Sequence, residues 1–167
     1  MEKQYKLIIF DVDGTLVTTK SGATFRKSAD DWQWLPGRLE RLRELQGQGV
    51  KLALASNQGG VAFGYLLMQD VIIEFYKMMD DCQFDSIRIC FYHPNASIEA
   101  FRQDSPMRKP EPGMLVEIMQ EQDVSAIDTL MVGDRPEDEG AAKAAGIDFM
   151  WAKDFFGDSD ERQPASH

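Results

Sequence analysis

Short runs rich in apolar and β-branched residues alternate with longer amphipathic stretches along the chain. The short runs predict buried strands at residues 6–10, 50–55, 86–92, 127–132 and 147–151. Apolar residues recur at helical spacing within residues 37–48, 66–79, 112–122 and 137–145. Such alternation of strand and helix is typical of a parallel sheet that is covered on both faces. We therefore predict an α/β fold with a doubly wound, mainly parallel sheet and helices on both faces.

Small polar residues follow three of the predicted strands directly. Asp11 and Asp13 come after the first strand, Ser56 closes the second, and Asp134 follows the strand at 127–132. In parallel sheets of this kind, ligands bind beyond the carboxyl ends of the strands. The predicted topology therefore collects these four side chains at one rim of the sheet.

The carboxylates at this rim have more than one interpretation. In one interpretation, Asp11 and Asp13 are simply part of a turn, where aspartate is common. In a second, the two carboxylates bind one cation. In a third, one carboxylate attacks a phosphorus atom and the other transfers a proton. Asp134 and Asp138 also suit a helix N-terminus. Acidic groups at adjacent strand ends repel one another unless a cation lies between them. Because the set offers only oxygen ligands, we infer Mg²⁺.

The charge balance limits the classes of partner. The chain has 167 residues, with 18 Lys and Arg against 28 Asp and Glu, a net charge of −10. This balance argues against a general binder of nucleic acid or anionic membranes. A phosphorylated substrate remains compatible if positive charge is local. Arg108 and Lys109 supply it from a loop stiffened by two prolines, and Arg135 is a third candidate.

The chain is long enough for one ordinary domain, which we place at residues 1–156, followed by a polar tail at 157–167. The two cysteines imply no disulfide framework. No apolar run reaches the length that spans a membrane, and no signal-peptide pattern is visible. We therefore expect a cytoplasmic location and no membrane partner.

Four short motifs in order resemble those of the haloacid-dehalogenase (HAD) superfamily of phosphohydrolases. They are Asp11-Val-Asp-Gly-Thr, Ser56 after a strand, Lys109, and Gly133-Asp134 with Asp138. The stretches 56–60 and 108–114 are similar to a branch of small phosphatases. That branch includes D-glycero-D-manno-heptose 1,7-bisphosphate phosphatase, histidinol-phosphate phosphatase and polynucleotide 3′-phosphatase. Residues 90–94 favour the first two of these.

The resemblance implies a role for each motif residue. Asp11 would be the nucleophile that forms an aspartyl-phosphate, and Asp13 would protonate the leaving oxygen and then activate water. Ser56 would hold a phosphoryl oxygen, and Lys109 would offset negative charge on the phosphoryl group and Asp11. This division agrees with phosphoryl transfer, in which catalysis is mostly positioning and charge neutralisation.

The resemblance also implies a metal site. Asp134 would bind Mg²⁺ together with Asp11 and the backbone carbonyl of Asp13, and Asp138 would support the metal or Lys109. Three further residues are expected to bind the substrate: Asn57, Arg108 and Arg135.

The spacing of the motifs limits what covers the site. The intervals from Asp13 to Ser56 and from Ser56 to Lys109 are occupied by predicted core elements, so we expect no large cap domain. The loop at 17–36 is the best candidate for a lid. Its aromatic side chains are interpreted as core rather than site residues: Phe25, Trp32 and Trp34.

Three functions are compatible with these features. The first is a Mg²⁺-dependent phosphatase acting on a phosphorylated sugar or other small metabolite. The second is a polynucleotide 3′-phosphatase. The net charge of −10 argues against it, because nucleic acid is also negatively charged. The third is a catalytically silent binding domain on the same fold. The intact set of motif residues argues against it, because a silent domain does not need them.

The chain departs from the branch in one respect. Many heptose-bisphosphate phosphatases carry a zinc loop, in which Cys and His are followed by Cys-x-Cys just before Arg-Lys-Pro. Cys90 and His93 match the first part, but Ser105 and Met107 stand where the thiolates are needed. A structural zinc site needs four good ligands. We therefore expect no structural zinc.

Elemental analysis tests this expectation. Protein purified without added metal should contain far less than one zinc per chain, because Ser105 and Met107 cannot supply thiolates. Stoichiometric zinc that is lost from the Cys90→Ser or His93→Ala variant would contradict it.

Overall fold

A computed structural model describes residues 2–159 of the chain. It contains seven strands, in chain order β1 (Leu7–Phe10), β2 (Val17–Thr18), β3 (Gln33–Trp34), β4 (Lys51–Asn57), β5 (Ser86–Cys90), β6 (Thr129–Gly133) and β7 (Asp148–Trp151). The helices are α1 (Arg38–Gly47), α2 (Met68–Asp81), α3 (Gly113–Gln122), α4 (Pro136–Ala145) and α5 (Ala152–Phe156). Short 3₁₀ turns lie at Gly59–Phe63, Glu99–Phe101 and Ala126–Asp128.

Five strands form one sheet in the order β5-β4-β1-β6-β7, and every neighbouring pair is parallel. Residues alternate between its two faces, so β1 sends Ile8 and Phe10 into one apolar core and Leu7 and Ile9 into the other. Helices α1, α2 and α5 cover the first core, and α3 and α4 cover the second. The predicted doubly wound α/β fold is confirmed.

Strand β1 lies at the centre of the sheet, and its register aligns the ends of three strands. Phe10, its last residue, is opposite Leu54 of β4 and Val132 of β6. The polar residues that follow β1, close β4 and follow β6 therefore meet at one rim. The chain segments that follow these strand ends build the site.

No separate cap domain occurs among the described residues. The loop after β1 instead forms a small antiparallel hairpin from β2 and β3. Trp32 and Trp34 of this loop pack edge to face against each other and against the core, and Trp34 donates its indole N–H to Asp81. Both tryptophans are partly buried and pack against the core, in agreement with the prediction.

Near the carboxyl end of the described chain, helix α5 packs on the core and Asp158 binds Arg38. Asp158, in the predicted tail, accepts two hydrogen bonds from the Arg38 guanidinium, at 2.5 and 2.8 Å. Residues 160–167, the rest of that tail, lie outside the described residues. Within residues 2–159, no helix is both long and apolar enough to cross a membrane.

Candidate active site

A buried lysine ammonium group lies at the centre of the rim. Lys109 Nζ donates to Asp11 Oδ1 at 2.9 Å, to Asp138 Oδ1 at 2.6 Å and to the carbonyl of Ala55 at 2.8 Å. Its side chain is only 2% exposed. Three donors therefore meet three acceptors, so the ammonium group needs no water.

Asn57 fixes the loop that carries this lysine. Its side-chain amide donates to the carbonyl of Lys109 at 2.9 Å, and its side-chain carbonyl accepts the N–H of Lys109 at 3.0 Å. Both ends of Asn57, a predicted substrate-binding residue, are thus occupied by the Lys109 backbone. The end of β4 thereby holds the loop 52 positions away in the chain.

Three carboxylates cluster at this point of the rim, and two of them, Asp11 and Asp138, contact the ammonium group. Asp11, Asp134 and Asp138 each offer an oxygen, and these oxygens lie within 4.8 Å of one another. Burial opposes ionisation of Asp11, but the Lys109 charge and the hydrogen bonds to Asp11 together outweigh burial and lower the pKa of Asp11. Burial and then the charge of Asp11 raise the pKa of Asp134 to about 8. Burial and the charge of Asp11 also raise the pKa of Asp138 to about 6, although Lys109 opposes this. One ammonium group does not balance three carboxylates, so the cluster attracts a further cation.

Two glycines allow the carboxylates to approach the backbone. Gly14 has a φ of +80°, and a Cβ there would lie 2.1 Å from Asp134 Oδ2. A Cβ on Gly133 would lie 2.4 Å from the Asp138 carboxylate. The motifs Asp-x-Asp-Gly and Gly-Asp therefore carry glycine because any side chain would occupy the space of an acid.

Asp138 also organises the start of α4. Its Oδ2 accepts the backbone N–H groups of Asp134 and Arg135, both at 3.1 Å, while its Oδ1 faces Lys109. Both oxygens are engaged by this chain. Asp138 therefore connects the helix, the Asp134 backbone and the lysine.

Asp13 points away from the lysine, into a second polar cluster. Gln58 donates from one amide group to Asp13 Oδ2 and to the hydroxyl oxygen of Ser56, both at 2.8 Å. Arg26 binds the other oxygen of Asp13. Because the Ser56 oxygen accepts this hydrogen bond, its own hydrogen is available to donate to a ligand.

A cavity of about 410 Å³ opens above these groups. It is lined by seven of the predicted site residues: Asp11, Asp13, Asn57, Arg108, Lys109, Arg135 and Asp138. Asp134 belongs to the acidic cluster beside the cavity. Ser56 is 1% exposed and contacts the cavity wall through Gln58.

Arg108 differs from the other cations of the cavity. Its Nη1 is buried and has no hydrogen-bond partner in the described part of the chain. Burial, and then the charge of Arg108, lower the pKa of the neighbouring His93. A buried guanidinium nitrogen without a partner favours an anion in the space beside it.

Aromatic rings form one wall of the cavity. Phe25 packs on Tyr65 at 5.0 Å between centroids, Tyr65 stacks on Phe63 at 5.8 Å, and Phe63 meets His93 edge to face at 4.9 Å. All four rings line the cavity. The interpretation of Phe25 as a core residue is wrong, because its ring lies in this wall and is 39% exposed.

Comparisons with known proteins agree with this geometry. The sequence profile of a family described as polynucleotide kinase 3 phosphatase matches residues 6–160. A D-glycero-β-D-manno-heptose-1,7-bisphosphate 7-phosphatase from Yersinia pestis is 33% identical over 153 residues, which cover 88% of this chain and 79% of that protein. The corresponding protein of Pasteurella multocida is 34% identical over 148 residues, 85% of this chain and 78% of its own.

A solved structure is similar as well. The D,D-heptose 1.7-bisphosphate phosphatase of B. bronchiseptica, complexed with magnesium and phosphate, superposes with a TM-score of 0.72 at 32% identity. The alignment covers 86% of this chain and 78% of that one.

The central role of Lys109 predicts a loss of stability when its charge is removed. Lys109→Met should lower the free energy of unfolding by about 3–5 kcal/mol, because it leaves buried carboxylates without their counter-ion. Urea denaturation of the metal-free protein measures this change. Lys143→Met, an exposed lysine of α4, is the matched control and should change stability by less than about 0.5 kcal/mol. Equal stability of the two variants would contradict the prediction.

Proposed function

Because the chain belongs to the polynucleotide kinase 3 phosphatase family and is a HAD-superfamily phosphatase, we propose that it hydrolyses the phosphomonoester of a sugar through an aspartyl-phosphate, with Mg²⁺. The observation that carries this proposal is the buried Lys109 ammonium, 2.9 Å from Asp11 Oδ1 inside an acidic cluster. The relatives named for a phosphorylated heptose support a sugar as the substrate class.

Asp11 is the proposed nucleophile. One of its oxygens is bound by Lys109, and the Thr15 hydroxyl lies 3.3 Å from the other. Its lowered pKa keeps it a carboxylate, the form that attacks phosphorus. The new bond joins Asp11 to phosphorus while the bond to the leaving oxygen breaks.

Asp13 is the proposed proton carrier. It protonates the leaving oxygen in the first step and takes a proton from water in the second, so that water attacks the phosphoenzyme. Ser56 donates its free hydrogen to a phosphoryl oxygen, and Lys109 offsets the charge on that group. Asn57 acts here by holding the Lys109 backbone rather than by binding the substrate itself.

The donor set fits a hard divalent cation. Its carboxylate oxygens converge, and the pKa of Asp134 is raised by burial and by the nearby charge of Asp11. Asp11 and Asp134 would hold Mg²⁺ together with the backbone carbonyl of Asp13. When bound, Mg²⁺ supplies positive charge against the phosphoryl oxygens. We assign Asp138 to the support of Lys109, because both its oxygens are already engaged.

A polynucleotide 3′-phosphatase is the second candidate. The aromatic wall favours it, because exposed rings stack on nucleobases; Tyr65 is 60% exposed. The net charge of −10 opposes it, because long nucleic acids repel an acidic surface. Rates on sugar phosphates and on 3′-phosphorylated oligonucleotides, measured side by side with Mg²⁺, distinguish the two. The third hypothesis, a silent binding domain, is set aside because the chain is a phosphatase.

The two aspartates after β1 should fail in different ways. Asp11→Asn should abolish turnover and leave no phosphoenzyme, because an amide cannot attack phosphorus. Asp13→Asn should lower the rate by about 10²–10⁴-fold. With an aryl phosphate, whose leaving group needs little protonation, Asp13→Asn should still become phosphorylated on Asp11 and then stall.

Rapid-quench mass spectrometry of both variants measures these outcomes. The metal is tested with the wild-type protein. Excess EDTA should abolish phosphate release, and added Mg²⁺ should restore it. A phosphoenzyme on Asp11→Asn, wild-type turnover by Asp13→Asn, or full activity in EDTA would overturn the proposed roles.

Arg108 should contact a remote part of the substrate, such as a second phosphate, because its buried Nη1 has no partner in the described chain. Arg108→Ala should then raise KM for a bisphosphorylated sugar by about tenfold or more and leave that for a minimal aryl phosphate nearly unchanged. Steady-state kinetics on both substrates measure the split. Equal loss on both would place Arg108 at the reacting phosphoryl group instead.

A further inference from the structure

Arg26 connects the loop between β2 and β3 to the active site. It is 7% exposed, although it lies in a loop whose neighbouring residues Phe25 and Lys27 are exposed. Its Nη2 lies 2.5 Å from Asp13 Oδ1, and its Nη1 donates to Gln58 Oε1 at 3.3 Å. None of the sequence motifs includes this residue.

The contacts of Arg26 and Gln58 immobilise the Asp13 carboxyl group. Arg26 binds one oxygen of Asp13, Gln58 binds the other, and the two side chains also bind each other. Rotation of the carboxyl group would break both contacts at once. A proton carrier needs such a fixed orientation, because its oxygen must reach the leaving group and then the attacking water.

A buried glutamate holds Arg26 from behind. Glu74 is fully buried in α2, and its carboxylate forms an ion pair with Arg26 Nε. Burial raises the pKa of Glu74 to about 8, and the Arg26 charge opposes this rise. A buried ion pair contributes little to stability compared with apolar residues. The presence of Glu74 at this buried position is instead explained by the orientation that Glu74 imposes on the Arg26 guanidinium group.

We propose that Arg26 is a positioning residue that orients Asp13 for proton transfer, and that Glu74 fixes Arg26 for this task. The inference rests on the proposed role of Asp13. The surroundings of Arg26 favour positioning over substrate binding, because its guanidinium forms ion pairs with two carboxylates of this chain, those of Asp13 and Glu74. The loop between β2 and β3 therefore supplies the residue that orients the proton carrier Asp13.

A double-mutant cycle between Arg26 and Asp13 tests this inference. Arg26→Gln should lower kcat for an aryl phosphate by about tenfold with little change in KM. In the Asp13→Asn background the same change should have almost no effect, because Arg26 acts through Asp13. Rapid quench should also show more phosphoenzyme in Arg26→Gln than in the wild type, since water activation is slowed.

Further variants separate positioning from folding. Lys27→Gln removes the same charge from an exposed position next to Arg26 and should leave kcat unchanged. Glu74→Gln should lower kcat partially in the wild type and not further in Arg26→Gln. If Arg26→Gln does not fold, Arg26→Gln/Glu74→Gln takes its place in the cycle, because it leaves no unpaired buried charge.

The outcomes distinguish a failure of the proposed role of Arg26 from a failure of the proposed function. Equal losses of kcat in the wild-type and Asp13→Asn backgrounds would overturn the role of Arg26 and leave the proposed function intact. A rise in KM alone would also overturn it, because Arg26 would then bind the substrate. Wild-type turnover by Asp13→Asn would instead refute the proposed function.

Discussion

The site depends on one buried ammonium group among carboxylates. Lys109 donates to two aspartates and a backbone carbonyl from a position with almost no exposure to water. Without it, Asp11 and Asp138 would be buried acids with no counter-ion, a costly arrangement in a protein interior. The features around it follow from this requirement: Asn57 fixes the lysine backbone, and glycines make room for the carboxylates.

The sheet supplies the convergence that this chemistry needs. Because β1 is central and parallel to both neighbours, the segments after three strands meet at one rim. Two polar clusters result, one on each side of the chain after β1. Asp11 belongs to the cluster around Lys109, and Asp13 belongs to the cluster around Gln58 and Arg26. Asp11 and Asp13 therefore have different surroundings although only one residue separates them. Different surroundings are what the separate roles of nucleophile and proton carrier require.

The cavity combines these clusters with a less polar wall. Rings from the loop after β2 and from the turn after β4 line one side, and Arg108 lies near His93. In the absence of a large cap among the described residues, these short segments alone surround the substrate. Substrate choice in this chain is therefore a matter of a few loop side chains rather than of a second domain.

The framework of the fold follows from patterns that are local in the sequence. Its hydrophobic periodicity predicted all five strands of the sheet and the four longer helices, because strands and helices impose repeats that are local in the chain. It also placed Asp11, Lys109 and Asp134 at strand ends or in a stiff loop, where parallel sheets bind ligands. The hairpin of β2 and β3 and helix α5 were not predictable, because elements of two to five residues are too short to show a period.

The contacts between polar side chains, in contrast, follow from the packing of the whole domain. The contact between Arg26 and Glu74 joins a loop without periodicity to the buried face of a helix, and no local pattern marks either residue. Asn57 is predicted from the sequence to bind the substrate, but its amide instead binds a backbone 52 positions away. Pairing of polar groups depends on distances between residues far apart in the chain, and those distances are set by packing of the whole core.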